Sequence, residues 1–78
     1  MNENGKNIEL KVMIVRSGLP QWKVAALVTA SGVDMSEQRL VHIVTQSQSR
    51  KSTTEEEKRA LAKILECEVK DIFPEERN

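Results

Sequence analysis

The chain has little from which a large core could be built. It contains no tyrosine, one tryptophan and one phenylalanine among 78 residues, and 38% of its residues are hydrophobic. The core must therefore be aliphatic and small, as in a single domain near the lower size limit for unaided folding. No apolar run approaches the roughly 18 residues of a membrane span, and no basic-then-apolar leader opens the chain. We expect one domain with no membrane partner.

Cysteine and histidine each occur only once. A single cysteine, Cys67, cannot form an internal disulfide, which agrees with a reducing compartment, and we expect a cytoplasmic protein with Cys67 as a buried structural thiol. His42 has no histidine, cysteine or carboxylate at metal-ligand spacing. There is also no recognisable nucleophile–base pair and no glycine-rich phosphate loop. The sequence therefore predicts no enzyme, metal, cofactor or small-molecule substrate.

The chain also lacks net charge, since 12 basic residues balance 12 acidic ones. The balance hides an asymmetry: residues 1–54 carry +3 and residues 55–78 carry −3. Affinity for phosphates depends on the local field and not on the total. The charge distribution thus permits nucleic-acid binding but does not demand it.

The apolar residues of the chain recur at helical spacing. Leu10, Met13, Ile14 and Ser17 fall on one face of a first helix, and Gly18 suits its end. Pro20 suits the first position of a second helix. The inward faces of the later helices follow the same spacing: Val24, Leu27 and Val28, then Leu40, Ile43 and Val44, then Leu61, Ile64 and Leu65, with a last apolar turn from Val69 to Phe73. No strand-like alternation or repeat occurs, so the predicted fold is all-α with about five short helices.

The ends of these helices carry their own signals. Asp34 or Ser36 can cap the third helix, and Thr54 with Glu57, or the pair one residue earlier, can form a capping box for the fourth. The polar, unpatterned segment 45–53 predicts a loop between them. We expect one domain over residues 8–74, with flexible ends at residues 1–7 and 75–78.

Three pieces of the chain together resemble a known family. They are Ser17-Gly-Leu-Pro-Gln21 with Val24-Ala25, Ser36-Glu-Gln-Arg-Leu40 with Ile43, and Thr54-Glu-Glu-Glu57 followed by the stretch Leu61 to Phe73. In this order, from Leu10 to Phe73, the chain resembles the lambda-repressor-like (Cro/C1-type, XRE) helix-turn-helix domains, especially small prophage-type regulators. The resemblance implies a repressor-type transcription regulator that binds double-stranded DNA sequence-specifically. Its third helix, about Ser36 to Gln46, would enter the major groove while the second crosses the backbone.

Two features depart from the family pattern. The connection from Val28 to Ser36 is longer than usual by about five residues. Either the second helix runs an extra turn to Gly32, or the connection is a genuine loop. Glu66 stands where glycine is common, so the end of the fourth helix is expected to cost up to roughly 1 kcal/mol.

The resemblance also assigns roles to polar residues. Gln21 would contact a phosphate and brace the third helix, and Lys23 would add salt-dependent phosphate affinity. Gln38 and Arg39 would contact bases, and His42 a base or a phosphate. For each, the alternative is an ordinary solvated surface residue. The full predicted DNA-binding set is Gln21, Lys23, Ser36, Gln38, Arg39, His42, Gln46, Arg50 and Lys51.

Partners other than DNA are also predicted. The family commonly binds two-fold operators, so we expect either a homodimer, using apolar surface such as Val41, Trp22 or the C-terminal turn, or a monomer that pairs on DNA. An alternative function is a protein-interaction module, antitoxin-like or an adaptor, on the same fold without operator reading. The neutral charge, the long connection and Val41 on the third helix favour that alternative.

Overall fold

The computed structural model describes residues 7–74, and in that range the chain is all-helical, as predicted, with no strand. Its elements are α1 (Ile8–Ser17), α2 (Gln21–Ala30), α3 (Glu37–Thr45), α4 (Ser47–Lys51), α5 (Glu55–Ile64) and α6 (Val69–Ile72). None of the helices in the described range is long and apolar enough to cross a membrane.

One aliphatic core joins the helices, with Phe73 as its largest fully buried side chain. Helix α2 packs against α3 and α5, and α1 packs against α3 and α6. The buried apolar residues are Leu10, Ile14, Val24, Ala25, Val28, Met35, Leu40, Ile43, Val44, Ala60, Leu61, Ala62, Leu65, Ile72 and Phe73. Most of the inward faces predicted from the helical spacing are therefore confirmed. Met13, Leu27, Ile64 and Val69 are half-buried at the edge of the core, and Ser17, predicted on the same face as Leu10, is exposed.

Asn7 ties the start of α1 to the end of α3. Its side-chain oxygen accepts from the Leu10 N–H at 3.1 Å, and its own N–H donates to the Val44 carbonyl at 2.8 Å. Asn7, predicted as the last residue of the flexible N-terminal segment, is fully buried and hydrogen-bonded within the domain. The rest of the predicted flexible ends, residues 1–6 and 75–78, lies outside the described residues.

The connection between α2 and α3 is a loop whose far end is hydrogen-bonded to the Thr29 side chain. Helix α2 ends at Ala30, which decides between the two alternatives for this segment. The Thr29 hydroxyl accepts from the Met35 N–H at 3.1 Å and donates to the Met35 carbonyl at 2.8 Å. Met35 itself is buried in the core. The loop thus has a defined path despite its length.

The segment predicted as a loop over residues 45–53 contains the short helix α4 instead. Its one turn is closed by the Arg50 N–H donating to the Gln46 carbonyl at 3.0 Å and the Ser52 N–H donating to the Gln48 carbonyl at 3.0 Å. A single polar turn has no apolar stripe, so periodicity could not reveal it. Helix α5 then begins at the predicted capping box of Thr54 and Glu57.

The end of α5 uses a left-handed residue that is not glycine. Glu66 has φ 57°, and the Cys67 N–H donates to the Ala62 carbonyl at 2.9 Å. This is the Schellman geometry, in which glycine is the usual residue. The neighbouring Cys67, expected to be buried, is only half-buried. Burial, followed by the Asp71 carboxylate, raises its pKa above the ordinary value of 9.0. The thiol is therefore protonated at neutral pH.

Candidate functional site

Helix α3 has one buried face and one solvent face. Leu40, Ile43 and Val44 point into the core, next to α2. The opposite side carries Gln38 and Thr45, which are exposed, and His42, which is half-buried. Because the spacing is i, i+4 and i+7, these three side chains follow one line along the helix. The result is a row of hydrogen-bonding groups about two turns long.

The start of α2 brings further polar groups to the helix pair. Gln21 is half-buried, while Trp22 and Lys23 are exposed, with the Lys23 Nζ atom 5.8 Å from the centre of the Trp22 ring. Helix α2 begins one residue after the predicted position, with Pro20 as its N-cap, and Pro20 makes no side-chain cap hydrogen bond. A helix start of this kind carries partial positive charge. It can therefore receive an anion.

Arg39 is placed differently from its neighbour Gln38. Its guanidinium donates to both carboxylate oxygens of Glu57, with Nε–Oε2 at 3.2 Å and Nη2–Oε1 at 3.0 Å. It also donates to the Ser52 carbonyl at 3.4 Å. The side chain thus links α3 to α5 and to the end of α4. The structure brings Arg39 to an internal ion pair rather than to the row formed by Gln38, His42 and Thr45.

The Glu57 carboxylate accepts hydrogen bonds both from Arg39 on α3 and from the start of its own helix. Burial opposes its ionisation, but the hydrogen bonds from Arg39 and from the Thr54 N–H, together with the Arg39 charge, outweigh that effect and lower its pKa below 4.5. The Glu57 carboxylate is therefore ionised at neutral pH. The same carboxylate closes the α5 capping box, because its Oε1 atom accepts from the Thr54 N–H at 2.9 Å.

The other predicted site residues lie at the two ends of α3 and on α4. Ser36 is the N-cap of α3 and accepts from the Arg39 N–H at 3.1 Å, so its hydroxyl has a structural partner. Gln46 is exposed at the C-cap. On α4, Lys51 is exposed and Arg50 is half-buried. These residues flank the row on α3, but they do not share its line.

Thr45 is the one member of the row that sequence reasoning missed. Its hydroxyl donates to the Val41 carbonyl at 2.8 Å, and the residue as a whole is exposed. The signal for it was available, because Thr45 follows Gln38 by seven residues and thus by two helical turns. The signal for Arg39 was available too, since it lies about 40° around the helix from Ile43, on the buried side.

Comparisons of the chain with family models, curated proteins and solved structures found no match. The function of the protein is therefore inferred from its own residues and their placement.

Proposed function

We propose that this protein binds double-stranded DNA through α2 and α3 as a transcriptional regulator with a lambda-repressor-like helix-turn-helix fold of the prophage type. The observation that carries the proposal is the row of Gln38, His42 and Thr45 on the solvent face of α3. Because the opposite face is anchored in the core beside α2, the row is presented on a rigid support. A helix with one face buried in the core and a polar row on its solvent face is suited to the major groove.

Each element has a chemical role in the proposed complex. Gln38 can form a bidentate contact with adenine N6 and N7, and the Thr45 methyl group suits the methyl group of thymine. His42 lies between them and supplies a ring nitrogen to a base or a phosphate. Lys23 and the uncapped start of α2 supply cationic and N–H groups to the backbone phosphates. The base contacts of Gln38 and Thr45 therefore lie on α3, and the phosphate contacts of Lys23 lie on α2.

Arg39 acts in this proposal as a positioning residue. Its bidentate pair with Glu57 fixes the rotation of α3 relative to α5. A guanidinium held by a carboxylate in this way is less available for guanine than an exposed one. We therefore assign the sequence reading to Gln38, His42 and Thr45, and the orientation of α3 to Arg39.

The proposal is tested by fluorescence anisotropy with labelled mixed-sequence duplex DNA at two salt concentrations. Binding through phosphates predicts that affinity falls steeply as salt rises. Lys23→Ala is expected to weaken binding and to reduce the salt slope by about one. Lys63→Ala, an exposed lysine on α5, is the matched control and should change neither quantity. No binding at low salt would contradict the proposal.

Selection of binding sites from a random duplex pool tests the reading role of α3. The wild-type chain should enrich a motif, and Gln38→Ala should relax one position of it with a loss of about 1–3 kcal/mol on the enriched sequence. The affinity of Gln38→Ala for mixed-sequence duplex DNA should change much less. If Gln38→Ala lost the same affinity for the enriched sequence and for mixed-sequence DNA, Gln38 would not contact bases specifically.

A protein-interaction module on the same fold is the second candidate function. The ion pair between Arg39 and Glu57 favours it, because one of the predicted base readers is already held by a carboxylate of the protein itself. If this is the function, the protein should show no salt-dependent affinity for DNA and should retain a stable protein partner after purification. The anisotropy titration therefore separates the two functions.

A further inference from the structure

The outer face of α1 is apolar and exposed. Ile8, Val12 and Val15 are 53%, 45% and 66% exposed, whereas Leu10 and Ile14 on the other side of the helix are buried. The three exposed residues follow an i, i+4, i+7 spacing, so they form one continuous line, here called the α1 stripe. Single exposed apolar residues are ordinary, but a line of three along one helix marks an interaction surface.

No part of the described residues 7–74 covers the α1 stripe. The charged residues along its two edges indicate which partner fits it.

The charges beside the α1 stripe favour a second copy in one orientation. Glu9 and Arg16 are exposed along the same edge of the stripe, seven residues apart, and Lys11 is exposed along the other edge. If two copies of α1 pack antiparallel, Glu9 of each copy faces Arg16 of the other. A parallel pair would instead place Lys11 beside the second copy's Arg16. The flanking charges thus complement each other only in the antiparallel pair, where the two Lys11 side chains share the opposite edge and can extend into solvent.

We infer that the α1 stripe is a homodimer surface in which α1 pairs antiparallel with α1 of a second copy about a two-fold axis. A helix of ten residues is about 15 Å long. Such a contact is smaller than the roughly 800 Å² per partner of a standard interface, so the dimer is weak. This inference goes beyond the proposed DNA binding and does not depend on it, because the surface is exposed in the chain alone.

The first test is sedimentation equilibrium without DNA, from about 10 μM to 1 mM, the range in which a small interface would associate. The wild-type chain should dimerise within this range. The double substitution Val12→Gln with Val15→Gln should weaken dimerisation at least about tenfold, because it removes apolar contact at the middle of the stripe. Glutamine is a good helix former, so the fold is expected to remain, as circular dichroism can verify.

Trp22→Gln is the matched control, because Trp22 is 56% exposed but lies outside the stripe. It should leave dimerisation unchanged. A wild-type chain that stays monomeric over the whole range would overturn the inference. A dimer that is lost in Trp22→Gln and kept in the stripe variant would overturn it as well.

The second test distinguishes the antiparallel orientation by charge exchange. Glu9→Arg alone and Arg16→Glu alone should each weaken self-association, because each places like charges together twice. An equimolar mixture of the two variants should form a heterodimer, visible by native mass spectrometry, because both flanking pairs are then complementary again. Helix stability is the same before and after mixing, so it cannot account for the recovery. A mixture with no more dimer than its components would overturn the antiparallel pair.

Discussion

At the scale of single residues, the contact between Arg39 and Glu57 decides how α3 sits on the rest of the protein. The carboxylate is largely withdrawn from water, with only 11% of the Glu57 side chain exposed, and it accepts two guanidinium hydrogen bonds. A hydrogen bond to a charged group contributes roughly 1.5–3 kcal/mol, and here solvent screens part of this because 30% of the Arg39 side chain is exposed. The contact therefore links the proposed reading helix to the core of the molecule.

Glu57→Gln tests that link, since the amide oxygen can still accept from the Thr54 N–H while the charge is removed. We expect a loss of roughly 1–3 kcal/mol in the free energy of unfolding at pH 7, measured by urea denaturation. The folded-state pKa of Glu57 lies below the ordinary value of 4.5, so the stabilisation is present above that value and is lost as the pH falls below it. The stabilities of the wild-type chain and the variant should therefore converge as the pH is lowered below 4.5. A difference that persists unchanged at low pH would exclude the ion pair as its cause.

Glu66 offers a substitution that should stabilise the protein. At φ 57° a residue with a Cβ atom is strained, and glycine is not. Glu66→Gly is expected to raise the free energy of unfolding by about 0.5–1 kcal/mol. Glu66→Ala removes the same charge but keeps the Cβ atom, so it should give no such gain. Arg59→Gly, in the middle of α5, should instead lose about 1 kcal/mol.

Gln38 and Arg39 are adjacent on α3 but have different surroundings, and the sequence predicts only part of that difference. The helical period already places Arg39 close to the buried side and Gln38 away from it. The partner of Arg39 could not be predicted, because Glu57 is 18 residues away and α4 comes between them. Strain at Glu66 could be predicted from the resemblance, because glycine is common at this position in the helix-turn-helix family.

At the scale of elements, the Thr29 side chain sets the path from α2 into α3. It forms two hydrogen bonds with the backbone of Met35 across six residues. Thr29→Val keeps the shape of the side chain but removes both bonds, and it should lower the free energy of unfolding by about 1–2 kcal/mol. Thr29→Ser, which retains the hydroxyl, should lose less than half as much. Amide hydrogen exchange at Met35 should speed up only in the valine variant, and equal exchange in both would rule out the bridge.

The helices themselves were largely predictable, including the short α6 as the last apolar turn, whereas α4 was not. Three signals that the sequence contains are confirmed: the Gly18 stop of α1, the Ser36 cap of α3 and the Thr54–Glu57 capping box of α5. Helix α4 was predicted as a loop because one polar turn carries no periodicity. The bridge from Thr29 to Met35 is a tertiary contact and leaves no local pattern.

At the scale of the whole molecule, a net charge of zero does not prevent the proposed binding of DNA. The elements that would meet DNA, α2 to α4, lie within the half of the chain that carries +3, while the −3 half contains α5 and α6. The proposed dimer surface is on α1, so self-association and DNA binding depend on different helices.

The most direct measurement of the central claim is the change in backbone amide signals of the labelled protein as duplex DNA is added. Binding through α2 and α3 predicts the largest shifts at Gln38, His42 and Thr45, together with the first turn of α2, and small shifts on the outer face of α5 at Arg59 and Lys63. Shifts confined to α5 and α6, or none at low salt, would contradict the account.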